Sequence, residues 1–137
     1  MKQNLQETTD FLKAHGFENP EIGIVLGTGL GQLLGEIDII KEVSYSEIPH
    51  FPEATVEFHS GKLVYGKLSG KTVVVMSGRF HLYEGYNQWE VTYGIRTMHQ
   101  LGIKTLLISN AAGAINLSYK KGDLKIGRAH VRTPVTS

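Results

Sequence analysis

The sequence predicts an α/β fold in which a mixed β-sheet is flanked by helices. Three short apolar runs, residues 22–26, 72–77 and 104–109, have the composition of buried strands, and a loop of glycine, small or polar residues follows each one. Two helical patterns accompany them, near residues 5–16 and 87–102. In open α/β sheets ligands bind beyond the carboxyl ends of the strands, so these three loops are the candidate site.

The first part of the chain is expected to hold one amphipathic helix, one strand and a long loop. Leu5 and Leu12 fall on one face of a helix that ends at Gly16. After the first strand and a glycine-rich loop, residues 30–34 are expected to open a second helix. Residues 45–61 contain prolines and histidines with little periodicity, which is typical of a long ordered loop.

The middle of the chain predicts a hairpin and a longer helix. Residues 62–68 are rich in strand-forming side chains, and the Ser-Gly-Lys turn at 69–71 joins them to the strand at 72–77. Asn87 and Glu90 have the spacing of a capping box at the start of a helix, and Gly102 is placed to end that helix. The last predicted strand follows directly.

A chain of 137 residues with 41% hydrophobic and 20% charged residues has the size and composition of one globular domain. It contains no cysteine, which excludes disulfides and thiolate metal ligands. The polar start at residues 1–10 is unlike a signal peptide, and no apolar run reaches membrane-spanning length. The expected location is cytoplasmic, with no membrane partner.

The net charge of +1 comes from the last residues of the chain. Lys125, Arg128 and Arg132 have no acid among them, and without these cations the acidic side chains outnumber the basic ones. Such a distribution does not favour nucleic acid as a partner. Residues 126–131 resemble one reading frame of a sequencing adapter, so residues 125–137 are predicted to be a non-native tail; a natural basic C-terminus is the other interpretation.

The loop at residues 27–31 (Gly-Thr-Gly-Leu-Gly) could bind an anion through backbone N–H groups and the start of the next helix. Thr28 would add a hydroxyl donor. A tight strand-to-helix turn explains the same residues equally well. A dinucleotide fingerprint, and with it a nicotinamide-dependent oxidoreductase, is disfavoured because Gln32 stands where a third glycine is needed and no second strand ends in an acid at the usual distance.

The other loops also allow two interpretations each. Arg79 and His81 share one face of an extended segment and could together bind a phosphate, or they could form a surface salt bridge and a packed polar contact. His59 is a lone loop histidine, a type that is more often structural. Residues 110–113 place small side chains where a flat ring could pack, or where the backbone is simply close-packed.

Taken together, six segments resemble purine nucleoside phosphorylases of the trimeric class, in the order and at the spacings of that family. They are residues 27–31, 48–52, 59–63, 78–85, 110–116 and 122–124. The specific ones are Arg-Phe-His-Leu-Tyr-Glu-Gly at 79–85 and Asn-Ala-Ala-Gly at 110–113. The resemblance covers residues 1–124 and implies the N-terminal part of a single nucleoside phosphorylase domain, in a truncated fold of that type.

The resemblance implies roles for particular residues. Phosphate would be bound by Thr28, His59, Arg79, His81 and Ala111. The nucleoside would be contacted by Tyr83, Asn110, Ala111, Ala112 and Gly113. The implied catalytic residues are His81, Tyr83 and Glu84. Thr28 stands where the family has a serine, and it keeps the hydroxyl.

The implied reaction is reversible phosphorolysis of a purine ribonucleoside or deoxyribonucleoside to the free base and (deoxy)ribose 1-phosphate, as in purine salvage. Inorganic phosphate is the co-substrate, no metal or organic cofactor is expected, and the whole protein is expected to be a homotrimer. The family's purine-handling groups lie in its C-terminal half, so the present chain alone is expected to be inactive. A methylthioadenosine or xanthosine phosphorylase of the same superfamily is the alternative, and the base preference stays open.

Overall fold

The computed structural model describes residues 2–27, 29–53 and 61–127. Five strands form one sheet: β1 (Ile22–Val25), β2 (Asp38–Ser44), β3 (Lys62–Leu68), β4 (Lys71–Ser77) and β5 (Thr105–Ile108), in the spatial order β2-β3-β4-β1-β5. Strand β1 is parallel to both β4 and β5, whereas β3 is antiparallel to both of its neighbours, β2 and β4. The predicted mixed sheet is therefore confirmed, and so is the hairpin between β3 and β4.

In the described part of the chain two α-helices flank the sheet: α1 (Lys2–Ala14) and α2 (Gln88–Leu101). The Asn87 side chain accepts a hydrogen bond from the Glu90 N–H, and the Asn87 N–H donates the reciprocal capping-box bond to the Glu90 carboxylate. Gly102 ends α2 with a positive φ of 103°. These are the cap residues that the sequence predicts. Among the described residues no helix is long and apolar enough to cross a membrane.

The core lies on both faces of the sheet, which explains the continuous apolar runs of the central strands. On one face Val74 and Met76 of β4 pack with α1 and α2. On the other face Val73 and Val75 pack in a smaller cluster that includes Ile37. Because successive side chains of a strand point to opposite faces, a strand covered on both sides must be apolar throughout.

Three predictions about elements need correction. Strand β2 was not predicted, because Asp38–Ser44 mixes charged and apolar residues and six of its seven residues are exposed. The helix expected at residues 30–34 is a short 3-10 helix, Gly31–Glu36, since its two glycines, Gly31 and Gly35, disfavour a longer α-helix. The expected loop at 45–61 begins with a 3-10 turn, Tyr45–Glu47.

The strand expected at residues 104–109 exists as β5, but it is not buried. Leu107 is 53% exposed and Ile108 is 56% exposed. Strand β5 pairs with β1 alone, at the edge of the sheet, and the residues from 110 to 127 that follow it are exposed throughout. The apolar composition of β5 favours burial, but no other described element packs over Leu107 and Ile108 closely enough to bury them.

Candidate active site

The carboxyl ends of β1, β4 and β5 lie side by side. Val25 at the end of β1 is in register with Met76 of β4 on one side and with Ile108 of β5 on the other. Because the three strands are parallel, the loops that follow them all begin at the same edge of the sheet. The sequence argument that these loops form one site is supported by this register.

Ser109 joins the end of β5 to the end of β1. Its Oγ accepts a hydrogen bond of 2.9 Å from the Gly27 N–H and donates one of 3.3 Å to the Val25 carbonyl. The Ser109 N–H also donates to the Val25 carbonyl, at 3.1 Å. The start of the glycine-rich loop is thus fixed by a hydroxyl on a neighbouring strand.

Gly27 is required at this position by close approach. A Cβ added to Gly27 would lie 2.6 Å from the backbone oxygen of Ser109 and 2.9 Å from an Arg79 guanidinium nitrogen. Both distances are shorter than real Cβ contacts. The glycine therefore allows three strand ends to meet, whether or not the loop binds an anion.

Arg79 lies across the ends of β1 and β5. Its Nε donates to the Leu26 carbonyl at 3.4 Å, and its Nη2 donates to the Ser109 carbonyl. A guanidinium has five N–H donors in a planar fork, and these two bonds use two of them. The same side chain can therefore brace the strand ends and still present a positive charge with donors to an anion.

His81 is held by Glu84 rather than by Arg79. The Glu84 Oε2 accepts from the His81 N–H at 2.9 Å and pairs with the His81 Nδ1 at 2.8 Å, across the 3-10 turn Leu82–Glu84. With Nδ1 donating to the carboxylate, Nε2 is the nitrogen that remains to face a ligand. The Tyr83 ring stacks on the imidazole at a centroid distance of 4.7 Å and is 84% exposed.

Tyr45 positions the loop that carries Arg79, and sequence reasoning missed it. Its hydroxyl donates to the Gly78 carbonyl at 2.6 Å, and its N–H donates to the Gly61 carbonyl at 3.0 Å. Burial raises the pKa of Tyr45 well above its usual range, so the hydroxyl stays a neutral donor. Ser109 was also missed as a site residue. The available signal was its position at the predicted end of an apolar strand.

The predicted nucleoside side of the site is open. Asn110, Ala111, Ala112 and Gly113 are all exposed, and a Cβ on Gly113 would meet nothing among the described residues. The Asn110 side-chain amide donates to the Ala111 carbonyl at 3.4 Å. Thr28 and His59 lie outside the described residues, so their proposed phosphate contacts stay predictions.

The described residues of this region do not form a metal centre. Within the described parts of the chain, no three His, Asp or Glu side chains are grouped as metal ligands. A groove of about 400 Å³ lies nearby, walled by Tyr86, Trp89 and Tyr93, but Glu84 is the one predicted site residue in its lining. The strand ends carry the convergent donors, so we place the candidate site there and not in the groove.

Comparison with known proteins gives a consistent result. The family model described as "Phosphorylase superfamily" matches residues 21–137. Purine nucleoside phosphorylase 1 of Geobacillus stearothermophilus is 49% identical over 127 residues, covering 93% of this chain and 46% of that protein. Purine nucleoside phosphorylase of Bos taurus is 42% identical over 132 residues, covering 96% of this chain and 46% of that protein.

A solved structure agrees at the level of the fold. Isoform 2 of purine nucleoside phosphorylase from Schistosoma mansoni, in complex with cytosine and ribose-1-phosphate, superposes with a TM-score of 0.83 at 45% identity, covering 88% of this chain and 42% of that one. The chain spans about half the length of the curated relatives that it matches. The assignment of residues 125–137 to a non-native tail stays a prediction.

Proposed function

Since this chain belongs to the phosphorylase superfamily, we propose that the whole protein is a purine nucleoside phosphorylase, and that this chain supplies its phosphate- and ribose-binding face. The proposal covers purine ribonucleosides and deoxyribonucleosides, with inorganic phosphate as co-substrate. The observation that carries it is the meeting of three parallel strand ends around one guanidinium, that of Arg79. Relatives at 42–49% identity are named for this activity.

In the proposed reaction a phosphate oxygen forms a bond to C1′ of the sugar while the bond from C1′ to the purine nitrogen breaks. The sugar becomes positively charged as the base leaves, much as in glycoside hydrolysis. A phosphate held below C1′ stabilises that charge and is already placed to attack. Arg79 would hold the phosphate with its remaining donors, because a planar guanidinium binds two phosphate oxygens at once.

His81, Tyr83 and Glu84 would act as one unit. Glu84 fixes the Nδ1 side of His81, so Nε2 would be presented to phosphate or to the ribose. Tyr83 stacks on the imidazole and leaves most of its ring exposed, which suits contact with the sugar. Thr28 and His59 would add donors to phosphate, and Ala111 would add its backbone.

The purine side requires groups beyond those described. Asn110, Ala112 and Gly113 form an exposed ledge against which a flat ring could lie. Residues 110–113 carry no acidic side chain, so none of them could protonate the leaving base. We therefore also propose that the activity belongs to the whole protein, as a cytoplasmic homotrimer without metal or organic cofactor, and not to this chain alone.

The test is turnover by the whole protein of inosine and guanosine, with inorganic phosphate present or omitted. We expect release of free base and ribose 1-phosphate only when phosphate is present, unchanged by a metal chelator. Turnover of methylthioadenosine or xanthosine in place of these nucleosides would assign one of the sister activities. Release of base without phosphate, or loss of activity with chelator, would contradict the proposal.

A further inference from the structure

We propose that Ser109 is a positioning residue for phosphate binding, acting through Gly27 and the loop that begins there. The inference rests on the proposed function, since it assumes that this loop binds phosphate. Ser109 has no role in the predicted site, in which the last loop begins at the adjacent Asn110. It does not need to touch phosphate itself.

The side chain and the backbone of Ser109 make different contacts. Its N–H continues the pairing of β5 with β1 by donating to the Val25 carbonyl, and its carbonyl accepts from Arg79. Any residue except proline could make those two backbone bonds. The bond from the Gly27 N–H, at 2.9 Å, needs the Ser109 hydroxyl.

The hydroxyl is also held in one orientation. Because Oγ donates its single hydrogen to the Val25 carbonyl at 3.3 Å, an Oγ lone pair faces the Gly27 N–H. Gly27 is partly buried. A Cβ added to Gly27 would lie only 2.6 Å from the Ser109 carbonyl oxygen, so the Gly27 backbone has little room to shift towards β5. The first amide of the loop is thus fixed, and with it the point at which the loop starts.

Removing the hydroxyl should therefore loosen the loop without unfolding the protein. In Ser109→Ala the Gly27 N–H loses its acceptor, while both backbone bonds of residue 109 remain. A lost hydrogen bond to a partly buried donor corresponds to a roughly tenfold loss of binding when that donor positions the site. We expect the KM for phosphate to rise roughly tenfold, with smaller changes in kcat and in the KM for nucleoside.

The experiment compares four variants of the whole protein. Ser109→Thr keeps the hydroxyl, whereas Ser109→Val has nearly the same shape without it, so this pair isolates the hydrogen bond even if Ser109→Ala is unstable. Ser46→Ala is the matched control, because Ser46 is exposed in the 3-10 turn Tyr45–Glu47. Thermal midpoints are measured for all four.

We expect Ser109→Ala and Ser109→Val to raise the phosphate KM, and Ser109→Thr and Ser46→Ala to match the unmodified protein. Equal phosphate KM values for Ser109→Thr and Ser109→Val would overturn the inference. It would also be overturned if kcat and both KM values changed together in proportion to a lower thermal midpoint. An unmodified protein without phosphorolysis would instead refute the proposed function, so the two failures are distinguishable.

Discussion

Replacing Gly27 by alanine tests whether the three strand ends must meet as closely as the structure shows. The new Cβ would lie 2.6 Å from the Ser109 carbonyl oxygen, and ordinary contact begins at 3.4 Å. The ends of β1 and β5 would have to separate by about 0.8 Å, because a backbone oxygen cannot turn away as a flexible side chain can. The bond from the Gly27 N–H to the Ser109 hydroxyl would be strained or lost.

The expected loss of folding stability combines two destabilising effects with one that partly offsets them. Overpacking in a well-packed region typically costs about 1–3 kcal/mol. Loss of one hydrogen bond adds about 1 kcal/mol, and the lower entropy of an unfolded alanine returns about 0.4–1 kcal/mol. The net destabilisation is about 2 kcal/mol, which corresponds to a fall of roughly 4–8 °C in the thermal midpoint of a protein of this size class.

The assay is thermal unfolding of the whole protein together with kcat/KM for phosphate. A displacement of this size should lower kcat/KM on the order of 10²-fold. Gly31→Ala is the matched control, since it lies at the other end of the same loop, has no positive φ and has open space around its Cβ position. If Gly27→Ala and Gly31→Ala had the same midpoint and the same kcat/KM, the close approach would be of no consequence and the reasoning would be wrong.

Three further outcomes are expected. In the whole protein Arg79→Ala should lower kcat/KM for phosphate more than Arg79→Lys, because lysine keeps the positive charge although it cannot reproduce the guanidinium fork; equal losses in steady-state assays would contradict this. Burial raises the pKa of Tyr45 above 10, so the folded state keeps a proton that the unfolded state releases. Stability should be unaffected by this group below about pH 9 and should fall above pH 10 by up to about 1.4 kcal/mol per pH unit, a loss that Tyr45→Phe reduces in urea unfolding at pH 8 and 11. The 137-residue chain expressed alone should aggregate, because Leu107 and Ile108 are each more than half exposed on an edge strand. Light scattering of this chain, and of a variant in which Leu107 and Ile108 are both replaced by threonine, measures the outcome. A monodisperse sample of the unmodified chain, with no change in the variant, would contradict the prediction.

Elements whose signals are local in the chain could be predicted from the amino-acid sequence. The cap residues Asn87, Glu90 and Gly102 define α2 because the bonds that begin and end a helix join residues close in the chain. The hairpin between β3 and β4 was predicted for the same reason, since its turn is at Ser69 and Gly70. The loops that carry the candidate site were also found, because glycine and small residues at strand ends are local features.

The contacts that those loops make depend on the three-dimensional fold and could not be predicted from local patterns. Arg79 bonds to carbonyls at residues 26 and 109, and the Tyr45 hydroxyl reaches Gly78, all separated by 30 or more positions in sequence. Strand β2 pairs with β3 despite its charged composition, because an antiparallel edge strand needs little apolar surface of its own. Periodicity and capping report the neighbours of a residue in the chain, whereas these contacts depend on which strands lie side by side in the folded sheet.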